Sequence, residues 1–297
     1  MRIAVCPDIR LENGDRGVLT WNLRPRCCGA SLLALSIFAG CRTGSDFQDP
    51  RGPRYAAGTI VSCRAQAGDT LRIVTFNIAF SREIDRALEV LSSDPGLHCA
   101  DIILLQEMDA PGTAKIASAL GMQYVYYPAL FHRGKKKEFG NAVLARWPVV
   151  EDAKIQLPHG SRFAGTHRTA TAATLRIRNA VVRVYSTHLG TLADIGPADR
   201  RSQLRTILAD AEGYRLVIIG GDMNSGVVGE VAVEAGYAWP TRSGPKTTSF
   251  GRWDHVYVKG LRISGAGATG TVRDARGSSD HLPVWVMATM DGASRTQ

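Results

Sequence analysis

From residue 69 onward, short apolar runs repeatedly stop at a polar residue. Leu71-Arg-Ile-Val-Thr-Phe76 meets Asn77, Asp101-Ile-Ile-Leu-Leu-Gln106 meets Glu107, and Val181 to Thr187 meets His188. Leu216-Val-Ile-Ile219 runs into Gly220-Gly221-Asp222, and Ala142 to Ala145 follows Gly140-Asn141. Asp254 to Val258 and Leu282 to Met287 carry their polar residues in front. Runs of this length, rich in β-branched residues, predict strands. Two stretches have a helical period instead, with Ile84, Ala87, Leu88 and Leu91 on one face and Leu204, Ile207, Leu208 and Ala211 on another. Strands interleaved with such helices predict an α/β fold of sheets with helices outside. No repeat or domain break interrupts residues 69–290, which suffice for a single core.

Residues 42–68 differ: rich in Gly, Arg, Pro and Asp and without a sustained period, they read as a flexible tether. Residues 291–297 read as a C-terminal tail. Ahead of the tether, Gly29 to Gly40 is an apolar stretch preceded by Arg24 and Arg26 and closed by small residues before Cys41. That is the layout of a signal peptide, following an N-terminal extension, so residues 1–41 are assigned to export. The ending Ile37-Phe-Ala-Gly-Cys41 resembles the bacterial lipoprotein box, with Phe38 where that motif usually has Leu. The resemblance implies a mature chain that begins at a lipidated Cys41, on the periplasmic face of a bacterial membrane, the outer one by preference. No apolar run approaches the roughly 18 residues of a spanning helix.

The chain carries 36 Lys plus Arg against 27 Asp plus Glu, a formal net charge of +9. Cleavage before Cys41 removes five basic and three acidic residues and leaves +7. Such a balance suits phosphates or anionic surfaces without choosing between them. Lys135-Lys-Lys137, beside His132 and Arg133, is a candidate phosphate-backbone contact, weighed against an ordinary solvated charge run. Of six cysteines, the mature chain keeps Cys63 and Cys99 as thiols, able to pair in an oxidising compartment if their geometry allows.

The candidate chemistry lies at the strand ends. Asp222 and Asn224 are two residues apart in extended backbone, so carboxylate and amide face one way. Gly, Asp and Asn together also make an ordinary turn. Ser279-Asp280-His281 offers a histidine able to accept a proton near neutral pH beside a carboxylate, and His188 and Glu107 close two other strands. Each alone is a commonplace surface feature; separate strand ends that deliver Asn, Glu, His and Asp-x-Asn together are not.

At these residues the sequence resembles the endonuclease/exonuclease/phosphatase superfamily, with its deoxyribonuclease-I-like fold. The likeness rests on Thr75-Phe-Asn77, Leu105-Gln-Glu107, Gly140 to Arg146, Ser186-Thr-His-Leu189, Gly220-Gly-Asp-Met-Asn-Ser225, Trp253-Asp-His-Val-Tyr257 and Ser279-Asp-His-Leu-Pro283. It implies a four-layer α/β sandwich of two mixed β-sheets flanked by helices. It also implies a phosphoric ester hydrolase in which Glu107 is the main Mg²⁺ ligand (Mn²⁺ being an alternative), with Asn77 beside it and Asp280 nearby. By the same resemblance Asp222 positions the attacking water, Asn224 binds phosphate, His188 stabilises the transferring group, and His281 is the general base oriented by Asp254. Arg168 is placed to order the site or meet phosphate. The expected substrate is nucleic acid, with a phospholipid or inositol phosphate as the alternative and an inert anion-binding module as the competing class. No protein partner is implied, and a monomer is expected.

Overall fold

In the computed structural model the chain begins with two short strands, β1 (Gly44–Asp46) and β2 (Tyr55–Ala57), followed by β3 (Thr70–Asn77), α1 (Ile84–Ser93), β4 (Ile102–Met108) and α2 (Ala110–Leu120). Next come β5 (Gln123–His132), β6 (Lys137–Ala145), β7 (Val149–Gln156), β8 (Thr169–Ile177) and β9 (Ala180–His188). Then follow α3 (Pro197–Asp210), β10 (Val217–Asp222), α4 (Glu230–Glu234), β11 (Asp254–Lys259), β12 (Leu261–Ile263), β13 (Thr269–Thr271) and β14 (Val284–Met290). The structure describes residues 44–61, 63, 70–265 and 267–290. The export segment (residues 1–41, Cys41 included) and the tail (residues 291–297) lie outside the described residues.

Two sheets result. One has nine strands in the order β1-β5-β6-β4-β3-β14-β12, with β2 on β5 and β13 on β14; the other is β11-β10-β9-β8-β7. Both are mixed, since β3 pairs in parallel with β4, and β9 with β10, among antiparallel neighbours. Successive side chains of a strand point to opposite faces. In β4, Ile102 and Leu104 enter a core between the sheets, while Ile103 and Leu105 pack with Ala87, Leu91, Ile116 and Ala117 of α1 and α2. On the far side, Ile219 and Tyr185 pack with Leu204, Ile207 and Val231 of α3 and α4. The order helix, sheet, sheet, helix is the four-layer α/β sandwich, and burial on both faces explains why the strands read as continuous apolar runs.

The two helices predicted from periodicity form, with small shifts. Val90 joins Ala87 and Leu91 in the buried face of α1 where Leu88 was expected, and Arg200 and Gln203 share the buried face of α3. Helix α2 was not predicted, because its Ala-Pro-Gly-Thr opening masks the period. Its start is fixed by Asp109, whose side chain accepts from Gly112 N at 2.9 Å, with Pro in the first turn.

The tether is corrected by the structure over residues 44–61. Gly44 pairs with His132 and Tyr55 with Tyr126, so β1 and β2 belong to the nine-stranded sheet. Arg54 makes a two-bond pair with Asp152 at 2.7 and 2.6 Å, and the buried Lys154 ammonium donates to Phe47 O and Gly52 O at 2.9 and 2.6 Å. These attachments are polar and use backbone carbonyls, so they leave no hydrophobic period to read. Cys63 and Cys99 form a disulfide, with their Cα atoms 5.6 Å apart.

Candidate active site

Three neighbouring strands of the five-stranded sheet place their functional residues in one row. Asp222 is in register with His188 of β9 on one side and Asp254 of β11 on the other. Gly221, directly before Asp222, permits this approach: a Cβ there would lie 1.8 Å from Thr187 O, so no other residue fits. The glycines after the apolar run therefore have a packing reason.

The nine-stranded sheet delivers its residues less directly. Asn77 ends β3, but Glu107 lies at a register break in the pairing of β4 with β6, between Leu105 and Met108, and has φ +58°. A bulge of this kind re-aims a side chain, and a non-glycine residue at positive φ marks local strain. The preceding Gln106 stays in the core, accepting from Thr75 Oγ1 at 3.3 Å and donating to Ser186 Oγ of the other sheet at 3.0 Å. Asn141 is likewise a link between sheets, donating to Thr169 O at 2.7 Å.

Across the sheets, Asn77 Nδ2 lies 3.2 Å from Glu107 Oε1 and 3.1 Å from Asp222 Oδ2, and Phe80 N donates to Glu107 Oε2 at 3.1 Å. His281 Nδ1 meets Asp254 Oδ2 at 2.9 Å, which leaves Nε2 3.7 Å from Asp222 Oδ2. His188 Nε2 is 3.3 Å from Asp222 Oδ2, and its Nδ1 is 3.3 Å from Arg168 Nη1. Because Arg168 can only donate, Nδ1 accepts and the ring proton sits on Nε2, aimed at Asp222. Asn224 N donates to Asp222 Oδ1 at 2.9 Å, and its side-chain Nδ2 donates to Leu189 O at 3.0 Å. Ser279 Oγ donates to Asn77 O at 2.7 Å and accepts from His281 N at 3.1 Å, tying the His281 loop to β3.

Charge sets the protonation states. Burial, with help from Arg168 and His281, pushes the His188 imidazole well below its ordinary range. Burial raises Glu107 against the opposing pull of Arg168 and Asn77. Burial and the adjacent Asp254 lift Asp222 to about 7 although His281 opposes them. Burial also works against a charged His281, yet the Asp254 charge and hydrogen bond, with Asp222 and Asp280, raise it to about 10.

The structure thus brings together Asn77, Glu107, Arg168, His188, Asp222, Asn224, Asp254 and His281, while Asp280 is exposed at the rim and acts on Glu107 and His281 through its charge. Phe80 and Phe139 escaped the sequence reading. The Phe139 ring lies 5.7 Å from His188 and carries the Arg168 guanidinium over its face at 5.1 Å. Its place directly before Gly140-Asn141 was the available signal. Lys137 is removed from the candidate phosphate contacts, because its ammonium is bound to Asp109 Oδ2 at 2.8 Å and Phe80 O at 2.7 Å.

The donor set fits a hard divalent cation. Glu107 and Asp222 converge and offer carboxylate oxygens, the ligands Mg²⁺ prefers; the Asn77 amide turns its Nδ2 to both, its oxygen accepting from Ala79 N at 3.0 Å. The buried Asp254 Oδ1 has no hydrogen-bond partner. Among the described residues two clusters of three ligand side chains occur, Asp222 with Asp254 and His281, and Cys63 with His98 and Cys99. The second is spent on the disulfide.

The endonuclease/exonuclease/phosphatase family model matches residues 74–281, and the chain belongs to that family. A search of curated proteins gives no match. Among solved structures, the endonuclease/exonuclease/phosphatase from Bacteroides vulgatus is 16% identical, with a TM-score of 0.60 over 75% of this chain and 99% of that one. D. rerio TDP2 complexed with a single-strand DNA product is 15% identical, with a TM-score of 0.57 over 74% and 99%. Sphingomyelinase C from Streptomyces griseocarneus is 16% identical, with a TM-score of 0.55 over 74% and 99%. At these identities the likeness establishes the deoxyribonuclease-I-like fold; family membership adds phosphoesterase hydrolysis.

Proposed function

We propose that this protein is an exported phosphodiesterase, dependent on Mg²⁺ or Mn²⁺, that hydrolyses nucleic acid by direct attack of water and works as a monomer. The carrying observation is the His281–Asp254 pair opposite Asp222, one strand away from His188. Asp254 holds His281 by Nδ1 and so aims Nε2 at Asp222; the imidazolium these carboxylates favour must pass its Nε2 proton to the Asp222 carboxylate before Nε2 can take one from water. The Nε2 proton of His188 points at Asp222 and would have to turn from that carboxylate to a phosphoryl oxygen, while Asn224 has a second amide hydrogen for another. Held by Glu107, with Asn77 and Asp280 beside it, the cation would supply Lewis-acid neutralisation of the phosphate charge. Nothing in this set forms a covalent intermediate. Export is supported by the Arg24 to Cys41 pattern and by the Cys63–Cys99 disulfide, a feature of oxidising compartments. Membrane attachment through a lipidated Cys41 is part of the same reading, since several acyl chains hold where one binds only reversibly.

A second reading, a phospholipid phosphodiesterase, is favoured by one observation. Phe163, Leu192, Val227 and Phe250 are all exposed, and all lie in loops at the catalytic end of the five-stranded sheet.

Hydrolysis of bis-p-nitrophenyl phosphate should require added Mg²⁺ or Mn²⁺ and vanish in EDTA; binding without hydrolysis at any metal concentration would mark an inert module. A panel of DNA, RNA, sphingomyelin and phosphatidylinositol then separates the two readings. Cys41→Ser protein should leave the membrane fraction.

A further inference from the structure

A cavity of about 230 Å³ opens beside the catalytic row. Its apolar wall is Phe80, Leu130, Phe139, Phe163 and Ile195, and Arg168 forms the boundary it shares with the catalytic side chains. Phe80 links the two spaces as well, because its N–H holds Glu107 while its ring lines the cavity. None of the roles assigned above uses this space. It borders Arg168, which contacts His188, so a group attached to a phosphate bound there can enter it.

The lining selects among possible groups. Of the polar lining, the Asp194 carboxylate accepts from Ser161 Oγ at 2.5 Å and Thr191 Oγ1 at 2.9 Å, while His132, His159 and Thr166 also border the cavity. Ser161 Oγ in turn accepts from Phe163 N and Ala164 N. Aromatic faces are present, but cations already lie over two of them, Arg168 over Phe139 at 5.1 Å and the Lys135 ammonium over Phe80 at 5.8 Å. A quaternary ammonium headgroup would meet those charges instead of an open aromatic cage. A neutral planar ring can stack instead on the exposed Phe163 ring. The volume falls below the roughly 300–1,000 Å³ of sites for drug-sized ligands, so one ring system fits and a base pair does not.

We propose that this cavity is a subsite for a single unpaired nucleobase flanking the scissile phosphate, which makes single-stranded nucleic acid the preferred substrate. The inference rests on the nucleic-acid phosphodiesterase reading above. It also implies modest discrimination among the four bases, since every base has a stacking face.

The test is equilibrium binding, read without turnover. Fluorescence anisotropy in EDTA compares a labelled single-stranded tetranucleotide with versions that carry one abasic position, with its duplex, and with glycerophosphocholine as competitor. One abasic position should weaken binding about fivefold to a hundredfold, as loss of base–aromatic stacking does, and the duplex should bind more weakly than the single strand. Phe163→Ala should shrink the base-to-abasic ratio toward one; Phe163 is 79% exposed, so its removal takes nothing from the core. Ala164→Trp, which fills the cavity, should do the same by a different route. Equal affinities of the base-bearing and abasic strands for the wild-type protein overturn the subsite, as does preferential displacement by glycerophosphocholine. Hydrolysis of bis-p-nitrophenyl phosphate in Mg²⁺ is assayed separately. A protein that hydrolyses the diester but shows no base preference refutes the subsite alone; one that prefers the base but never hydrolyses supports the subsite and refutes the enzyme.

Discussion

The two sheets meet at the same site and contribute to it differently. The five-stranded sheet presents His188, Asp222 and Asp254 as a straight row, three residues in register at three adjacent strand ends. The nine-stranded sheet supplies Asn77 from a strand end, Glu107 from a strained bulge and His281 from a loop. Three contacts cross between them: His281 to Asp254, Asn77 to Asp222, His188 toward Glu107 at 3.8 Å. The row is rigid because regular pairing builds it, while the other half gains freedom to place a carboxylate where pleating alone would not.

Breaking the irregular half should cost most. Glu107→Gln keeps the shape of the side chain and removes its charge, so kcat at limiting Mg²⁺ should fall about a thousandfold or more, with weakened Mn²⁺ binding by calorimetry. Near wild-type turnover would remove Glu107 from the metal site. His281→Ala, which cuts one bridge between the sheets, should lower kcat by about 10²–10⁴ while far-UV circular dichroism is kept. A comparable loss of folding would make His281 structural.

The regular half is broken by Gly221→Ala, whose Cβ meets Thr187 O. That variant should lose about 3 kcal/mol or more in urea unfolding, and an unchanged midpoint would show that the row tolerates a wider spacing. A subtler probe is pH in EDTA. Asp222, raised to about 7 from 3.8, contributes stability that is complete below pH 3.8 and lost as pH rises through about 7. His281, raised to about 10 from 6.5, contributes stability that is complete below pH 6.5 and lost as pH rises through about 10. The melting temperature of the metal-free protein should therefore fall between pH 7 and 10, and His281→Gln should flatten that decline. The smallest effect belongs to the turn between β5 and β6 of the nine-stranded sheet. Lys135→Ala with Lys136→Ala should lower the salt slope of single-strand binding by about 1.4, two contacts at roughly 0.7 each; Lys137 is left intact because it holds Asp109.

This contrast also governs what the sequence could disclose. His188 and Asp222 were legible because a strand that ends in a polar residue says where that residue goes and the two strands run in parallel, and Asp254 because it opens a strand antiparallel to them. Glu107 was legible as a motif but not as geometry, since no local pattern encodes a register break that turns a side chain at φ +58°. Phe139 was hidden because an apolar residue in a strand looks like core whether or not it packs against a histidine such as His188. Lys137 shows the reverse error, a charge run read as one surface although its third member is bound inside. Strands β1 and β2 were illegible because three-residue strands held by Arg54, Lys154 and backbone carbonyls have no period.

Docking of that segment changes what an anchor could do. Two residues, a span of three steps, separate Cys41 from Gly44, the first residue of β1 and itself part of the cavity lining. An extended chain covers about 3.5 Å per residue, so a lipid on Cys41 would give the catalytic domain a leash of roughly 10 Å. An enzyme held that closely patrols a plane and cannot sweep a volume. A polymer would have to drift within a domain's width of the bilayer to be cut.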